Sequence, residues 1–358
     1  MRIVVAGGTG FIGREIVRRL VGSGRRVIAV ARRGAALSAA ARVRAGVGAI
    51  PKRARLTVLE HDLARGELSA ADRGWLGGAV ETVIHAAGDT RFVPTDPDEF
   101  RAVHVDGPAT LLATLAGGRL ERFAHLSTAY VCGCRSGCVF EHEGDVGQRF
   151  HNAYERAKLD GEQALRHAAS ARRVDLRVLR PSIVVGEAPP TAGGAPSNLF
   201  FDFVRVLSWA ATLGGDRARR LRVPGAPAAP FNVVALAYVV EATVVLAEHP
   251  AARGGTFHLV TSEAPTQGEM LAMLADVLGL SGARVVEPSL MTHDVSALEA
   301  RLLRLLAAYG DYLSQDVRFD DRETRRVLDA AGVAPAALGV DDVARLVRSA
   351  LATAGATR

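Results

Sequence analysis

The seven residues Gly7-Gly8-Thr9-Gly10-Phe11-Ile12-Gly13 decide the fold. They read G-x-x-G-x-x-G and lie between a strand-like run over 3–6 and a helical stretch over 11–21, with apolar residues at 12, 16, 17 and 20. In a strand–turn–helix setting each glycine has a physical task. Gly7 permits the tight turn, Gly10 lets a pyrophosphate approach the backbone, and Gly13 allows close helix–strand packing. The phosphates then face the helix N-terminus, where unpaired amides point outward. Thr9, Phe11 and Ile12 complete the same cofactor-binding turn.

Working outward, strands are predicted over 26–30, 56–59, 82–84, 123–126 and 176–179, and helices over 100–115 and 153–169. Strands alternating with helices imply right-handed βαβ units and a parallel sheet covered on both faces. The expected class is α/β, a doubly wound Rossmann sheet with a smaller, mainly helical substrate-binding region towards the C-terminus. The cofactor core with the catalytic residues is assigned to 1–185 and the substrate region to 186–358, with a segment near 231–260 returning to the core. After Pro181 the rhythm changes. Residues 186–197, rich in Pro, Gly and Ala, read as a loop. Residues 198–213 read as an amphipathic helix, either a wall over the substrate or a packing or homodimer face. A late strand over 256–260 is expected to rejoin the sheet, and helices follow over 268–279 and 341–352. The Ala/Arg/Gly-rich stretch 31–55 reads as a surface segment.

Composition sets limits. The 358 residues are 49% hydrophobic, enough for a full core. The net charge is 44 − 38 = +6, and of the 44 basic residues all but Lys52 and Lys158 are arginine. These arginines are scattered among acids, and aromatics are only 5%, so no nucleic-acid platform is expected. No apolar run reaches the length of a membrane span. Three cysteines cannot build a disulfide framework, which fits a cytoplasmic setting. Met1-Arg2-Ile3 runs directly into the first strand, so no signal peptide is expected.

The end of the second strand separates NADP from NAD. An acid there accepts from the ribose hydroxyls of NAD. This chain has Ala29-Val30-Ala31-Arg32-Arg33 instead. Arginine pairs with a 2′-phosphate through its planar fork. NADP(H) is therefore the preferred cofactor and NAD(H) the second, with Arg32 ahead of Arg33 as the phosphate partner. The alternative is that both are solvated loop residues. Asp62, in Glu60-His61-Asp62-Leu63, puts a carboxylate where an adenine amino group would donate, with Leu63 beside it. Ala86-Ala87-Gly88, after the fourth strand, lets a ribose approach the backbone.

Tyr154-Glu155-Arg156-Ala157-Lys158 puts a phenol and an ammonium on one helix face. A nearby cation favours phenolate, so the tyrosine pKa is expected to fall. Tyr154 is then placed to give a proton to a carbonyl oxygen as hydride arrives, or to remove one in reverse. One of the two lysines falls here, and an arginine would not be equivalent. Ser127-Thr128 follows the 123–126 strand, where alternation turns one hydroxyl towards the cofactor to hold a substrate carbonyl. The alternative is that both hydroxyls cap a turn.

Taken together, these motifs and Arg180-Pro181-Ser182-Ile183-Val184-Val185-Gly186 resemble the extended short-chain dehydrogenase/reductase superfamily over residues 1–260. The resemblance implies Tyr154 as acid/base, Lys158 as the pKa-lowering and ribose-binding residue, and Thr128, ahead of Ser127, as the carbonyl-orienting one. It also implies Pro181, Ser182 and Ile183 along the nicotinamide. The runs His125 to Gly133 and Arg180 to Val184 look most like the thioester-reductase and fatty-acyl reductase branch, whose members reduce acyl thioesters with NADPH. The chain departs from the superfamily pattern at His104-Val105-Asp106-Gly107-Pro108 and at Phe231-Asn232-Val233-Val234. It has no room for an adenylation or carrier domain, so the substrate would be free or delivered by a carrier protein in trans.

The leading expectation is thus an NADP(H)-dependent reductase of a carbonyl or acyl thioester on a hydrophobic substrate. The alternatives are an NAD-dependent nucleotide-sugar epimerase or dehydratase and a non-catalytic NADPH-sensing protein. Cys132, Cys134 and Cys138 cluster beside His142 and His151, but the paired Cys-x-x-Cys spacing of zinc sites is missing, so no metal is expected. His85 and His104 read as core or supporting residues.

Overall fold

The structure is a computed structural model that describes residues 2–48, 50, 54–187, 199–214, 221–280, 282–291, 294–307 and 310–355. Thirteen strands form among them: β1 (Arg2–Ala6), β2 (Arg26–Ala31), β3 (Arg55–Glu60), β4 (Val80–His85), β5 (Arg122–Leu126), β6 (Gly137–Val139), β7 (Asp175–Pro181), β8 (Ile183–Val185), β9 (Arg222–Pro224), β10 (Val233–Ala235), β11 (Thr256–Leu259), β12 (Arg284–Val286) and β13 (Val317–Phe319). Seven make one sheet in the order β11-β7-β5-β4-β1-β2-β3, parallel throughout. The strands are apolar on successive residues because both faces are covered, as parallel sheets require. The order turns back on itself between β1 and β4, which opens the crevice where a doubly wound fold takes its ligand.

The helices are α1 (Phe11–Gly22), α2 (Ala39–Val47), α3 (Ala70–Gly77), α4 (Pro97–Arg101), α5 (Gly107–Leu115), α6 (Ala153–Arg172), α7 (Leu199–Gly214), α8 (Leu236–Glu248), α9 (Gln267–Leu278), α10 (Ala297–Leu305), α11 (Gly310–Ser314), α12 (Arg322–Ala330) and α13 (Val340–Gly355). On one sheet face, Ile16, Val17 and Leu20 of α1, Val43 of α2 and Leu246 of α8 pack on Ile3, Val5 and Val27. On the other, Leu76 of α3, Leu112 of α5 and Leu165 of α6 pack on Val4, Ile28 and Phe123. A third core joins Phe200 and Leu207 of α7, Leu274 of α9, Leu302 of α10 and Val347 of α13.

Two expectations change. The 31–55 stretch is not merely surface: α2 buries Ala39, Val43 and Val47, one stripe at a spacing of four. Its small residues made that stripe faint. The helix predicted over 100–115 is α4, a wider helical turn over Ala102–Asp106, and α5. Pro108 has no amide to donate within the ladder, so the turn opens ahead of it. Most of the loop predicted over 186–197 lies outside the described residues. Glu141 ties α12 to the core: its buried carboxylate accepts from the Glu323 amide at 2.7 Å and the Thr324 amide at 3.1 Å at the start of that helix.

Candidate active site

The glycine turn sits at the carboxyl end of β1. Gly7 has φ +85°, and a Cβ there would stand 2.6 Å from the Ala87 amide nitrogen. A Cβ on Gly13 would stand 2.3 Å from the Gly7 carbonyl oxygen, so α1 and the turn touch only because both residues are glycine. Gly10 precedes α1 with no side-chain cap, leaving the first helical amides for a ligand. Phe11 and Ile12 pack inward against the core. A cleft of about 230 Å³ follows, lined by Gly7, Thr9, Gly10, Arg32, Asp62 and Leu63 and by Ala86, Ala87 and Gly88. This shape and donor set fit a dinucleotide: close backbone approach, an open helix start, and a carboxylate at the far end. Asp62 also accepts from the Ala64 amide at 3.1 Å.

The two arginines after β2 part company. Arg32 lines the cleft, whereas Arg33 turns away to pair with Glu60 at 2.8 Å. Arg42, which the sequence reading did not single out, takes the place beside Arg32. It lines the same cleft and donates to the Arg32 carbonyl at 3.0 Å. An arginine on an Ala-rich segment carries no signal of its own until α2 folds it back.

On the other side of the crevice, α6 begins at Asn152, whose side chain accepts from the Glu155 amide. Tyr154 therefore sits in the first turn and Lys158 one turn on. The Lys158 ammonium is buried, donates to the Leu126 carbonyl at 2.9 Å and lies 5.9 Å from the Tyr154 ring centre. Burial lowers its pKa to about 8, against the pull of Glu162. The Thr128 side chain pulls the Tyr154 phenol pKa down, but burial dominates and leaves it raised. The expected lowering of Tyr154 is thus corrected: the phenol is buried, and its desolvation outweighs its neighbours. The Thr128 hydroxyl also lies 3.5 Å from the Pro181 carbonyl. Ser127 lies towards Glu162 on the other side. Pro181 ends β7, Ser182 is buried beside it, and the Ile183 amide donates to Asn232 at 3.0 Å.

His104 faces Tyr154 edge-on, with ring centres 5.8 Å apart, and its Nε2 is 2.8 Å from the Asp89 carbonyl. Burial, then the Lys158 charge, pushes His104 down to about 3, so it is neutral. His85 is likewise pushed down to about 3 and lies against His125 in the core. Tyr312 and Phe92 were not singled out in the sequence. Tyr312 donates to Glu155 and accepts from Asn152 at 2.7 Å, and its ring stacks on Phe92 at 5.4 Å. Phe92 lies 6.4 Å from the Tyr154 ring. These contacts join residues about half the chain apart, so no local pattern announces them. Cys132 is buried, with its thiol pushed up to about 12 by burial, and Cys134 and Cys138 are exposed. Among the described residues no three His, Cys, Asp or Glu side chains gather as metal ligands, and no helix is long and apolar enough to cross a membrane.

Known proteins resemble this chain at several levels. The family model described as "Male sterility protein", an NAD-binding domain, matches residues 5–242. Peramine synthetase A of Epichloe festucae (strain Fl1) is 30% identical over 218 residues, 55% of this chain. The match spans only 8% of that synthetase. The 4-hydroxy-2-methyl-3-oxo-4-farnesyl-3,4-dihydroquinoline-1-oxide ketoreductase of Stigmatella aurantiaca is 28% identical over 355 residues, 95% of each chain. Among solved structures, the terminal R domain from the myxalamid PKS-NRPS biosynthetic pathway superposes with a TM-score of 0.77 at 21% identity, covering 99% of this chain and 91% of that one.

Proposed function

The chain belongs to the Male sterility protein family, within the extended short-chain dehydrogenase/reductases, and from that premise we propose an NADPH-dependent reductase of a carbonyl or acyl thioester on a hydrophobic substrate. That it is a nicotinamide-dependent oxidoreductase follows from the family. The choice of NADPH rests on Arg32, just after β2 where an NAD site would carry an acid, and on Arg42 of α2 beside it. The choice of reduction rests on one arrangement above all. Tyr154 stands one helical turn from the buried Lys158 ammonium, which lies against Gly88 at the edge of the cofactor cleft, and Thr128 acts on the same phenol.

The bound cofactor supplies the hydride. Tyr154 gives its proton to the carbonyl oxygen, and its raised pKa suits an acid that must hold that proton until the oxyanion develops. Thr128 orients the same oxygen. Lys158 adds a positive charge close to the phenol, which favours phenolate after transfer. A ketone plus NADPH and a proton gives an alcohol and NADP+. An acyl thioester plus NADPH and a proton gives an aldehyde, a free thiol and NADP+. A free ketone is suggested by the full-length ketoreductase relative, and a carrier-delivered thioester by the R-domain likeness. NADPH consumption against a panel of hydrophobic ketones and acyl thioesters, with Tyr154→Phe as control, tests the proposal. Binding of NADPH without turnover of any member would favour a sensing role instead.

A further inference from the structure

We propose that the chain carries a second anion site at the opposite end of the sheet from the cofactor cleft, built to take a small polyphosphate-type anion. Strand register sets Arg2 beside Arg26, and Arg26 beside Arg55, on β1, β2 and β3. Register partners point to the same face, here the face on which Val4, Ile28 and Leu76 pack. Three guanidinium groups are thereby aligned across strands spaced roughly 4.8 Å apart.

Like charges in neighbouring positions of a sheet are destabilising. Elsewhere the chain offsets positive charge: Arg14, Arg18, Arg19 and Arg25 each pair with a carboxylate. None of Arg2, Arg26 and Arg55 makes an ion pair with a described residue. They open instead into a shared cleft of about 370 Å³ whose lining holds no carboxylate. Trp75 of α3, 40% exposed as a residue, also lines the cleft. The cleft shares no residue with the cofactor cleft. It lies at the strand starts, a strand length of roughly 17–20 Å from the glycine turn.

Guanidinium forks match phosphate oxygens two at a time, and three in a row match a chain of phosphates better than a single charge. The ligand's source is either an inorganic polyphosphate or a nucleoside polyphosphate whose base stacks on Trp75. Inorganic triphosphate titrated calorimetrically into the chain, with saturating NADP+ to occupy the cofactor cleft, is expected to show one saturable site. That site should weaken about tenfold or more in Arg26→Gln/Arg55→Gln, with NADP+ affinity unchanged. No saturable heat, or equal binding by the double variant, overturns the site. If the double variant does not fold, Arg55→Gln on the edge strand takes its place. In a Trp209→Phe background, triphosphate should also change the Trp75 emission, and an unchanged emission at saturation overturns the location. Tighter binding of ATP than triphosphate, lost in Trp75→Leu, assigns the nucleotide; equal binding assigns the inorganic anion.

Discussion

Lys158 reaches past Tyr154 rather than to it: its ammonium donates to the Leu126 carbonyl at 2.9 Å and lies 5.9 Å from the centre of the phenol ring. The lysine therefore ties α6 to the end of β5. Thr128 is the side chain that pulls the phenol pKa down, against the larger effect of burial.

Removing the Tyr154 hydroxyl should separate chemistry from binding. Tyr154→Phe is expected to lower kcat by about 10²–10⁴, the usual contribution of a positioned acid. NADPH affinity by fluorescence titration should stay within about twofold, because the ring still fills its place against Phe92 and His104. Wild-type turnover in this variant would remove Tyr154 from the mechanism.

Lys158 should impose an alkaline limit. Its pKa of about 8 lies below the ordinary 10.5. Below pH 8 the ammonium is intact, and above it the charge is lost, so kcat/KM of the free enzyme should fall as pH rises through about 8. Stability moves the other way. Between about 8 and 10.5 the unfolded chain holds more protons than the folded one, so this group's contribution to stability rises across that window. Tm measured from pH 7 to 10 should show that rise in wild type and lose it in Lys158→Met.

Cofactor preference should follow Arg32 and spare Arg33. Arg32→Glu is expected to shift the NADPH/NADH ratio of kcat/KM towards NADH by about tenfold or more, since a charge-assisted phosphate contact becomes a repulsion. Arg33→Gln breaks only the exposed pair with Glu60 and should leave that ratio nearly unchanged. Equal effects of the two substitutions would contradict the arrangement of the cleft.

Beneath the site, Arg180 and Glu162 form a buried two-bonded pair at 2.9 and 2.7 Å. Burial pushes the Glu162 carboxyl up, but Arg180 overrides it and leaves the pKa lowered. Arg180→Met should cost about 3–5 kcal/mol by urea unfolding, because a carboxylate is left buried and unpaired. Replacing both partners, Arg180→Met with Glu162→Leu, should recover most of that loss.

The sequence by itself determined the Rossmann sheet, the glycine turn and the Tyr154/Lys158 spacing, because each is a local pattern. A glycine needed for φ +85° at Gly7, or two side chains one helical turn apart, is decided within a few residues. The helix α2 was less legible, since its buried stripe is built of alanine and valine in an arginine-rich stretch. Only the tertiary structure decided which arginine faces the cofactor cleft, that Arg42 joins it, and that Tyr312 closes on Glu155. It also decided the direction of the Tyr154 pKa, because desolvation depends on everything packed around the phenol and not on the lysine four residues away.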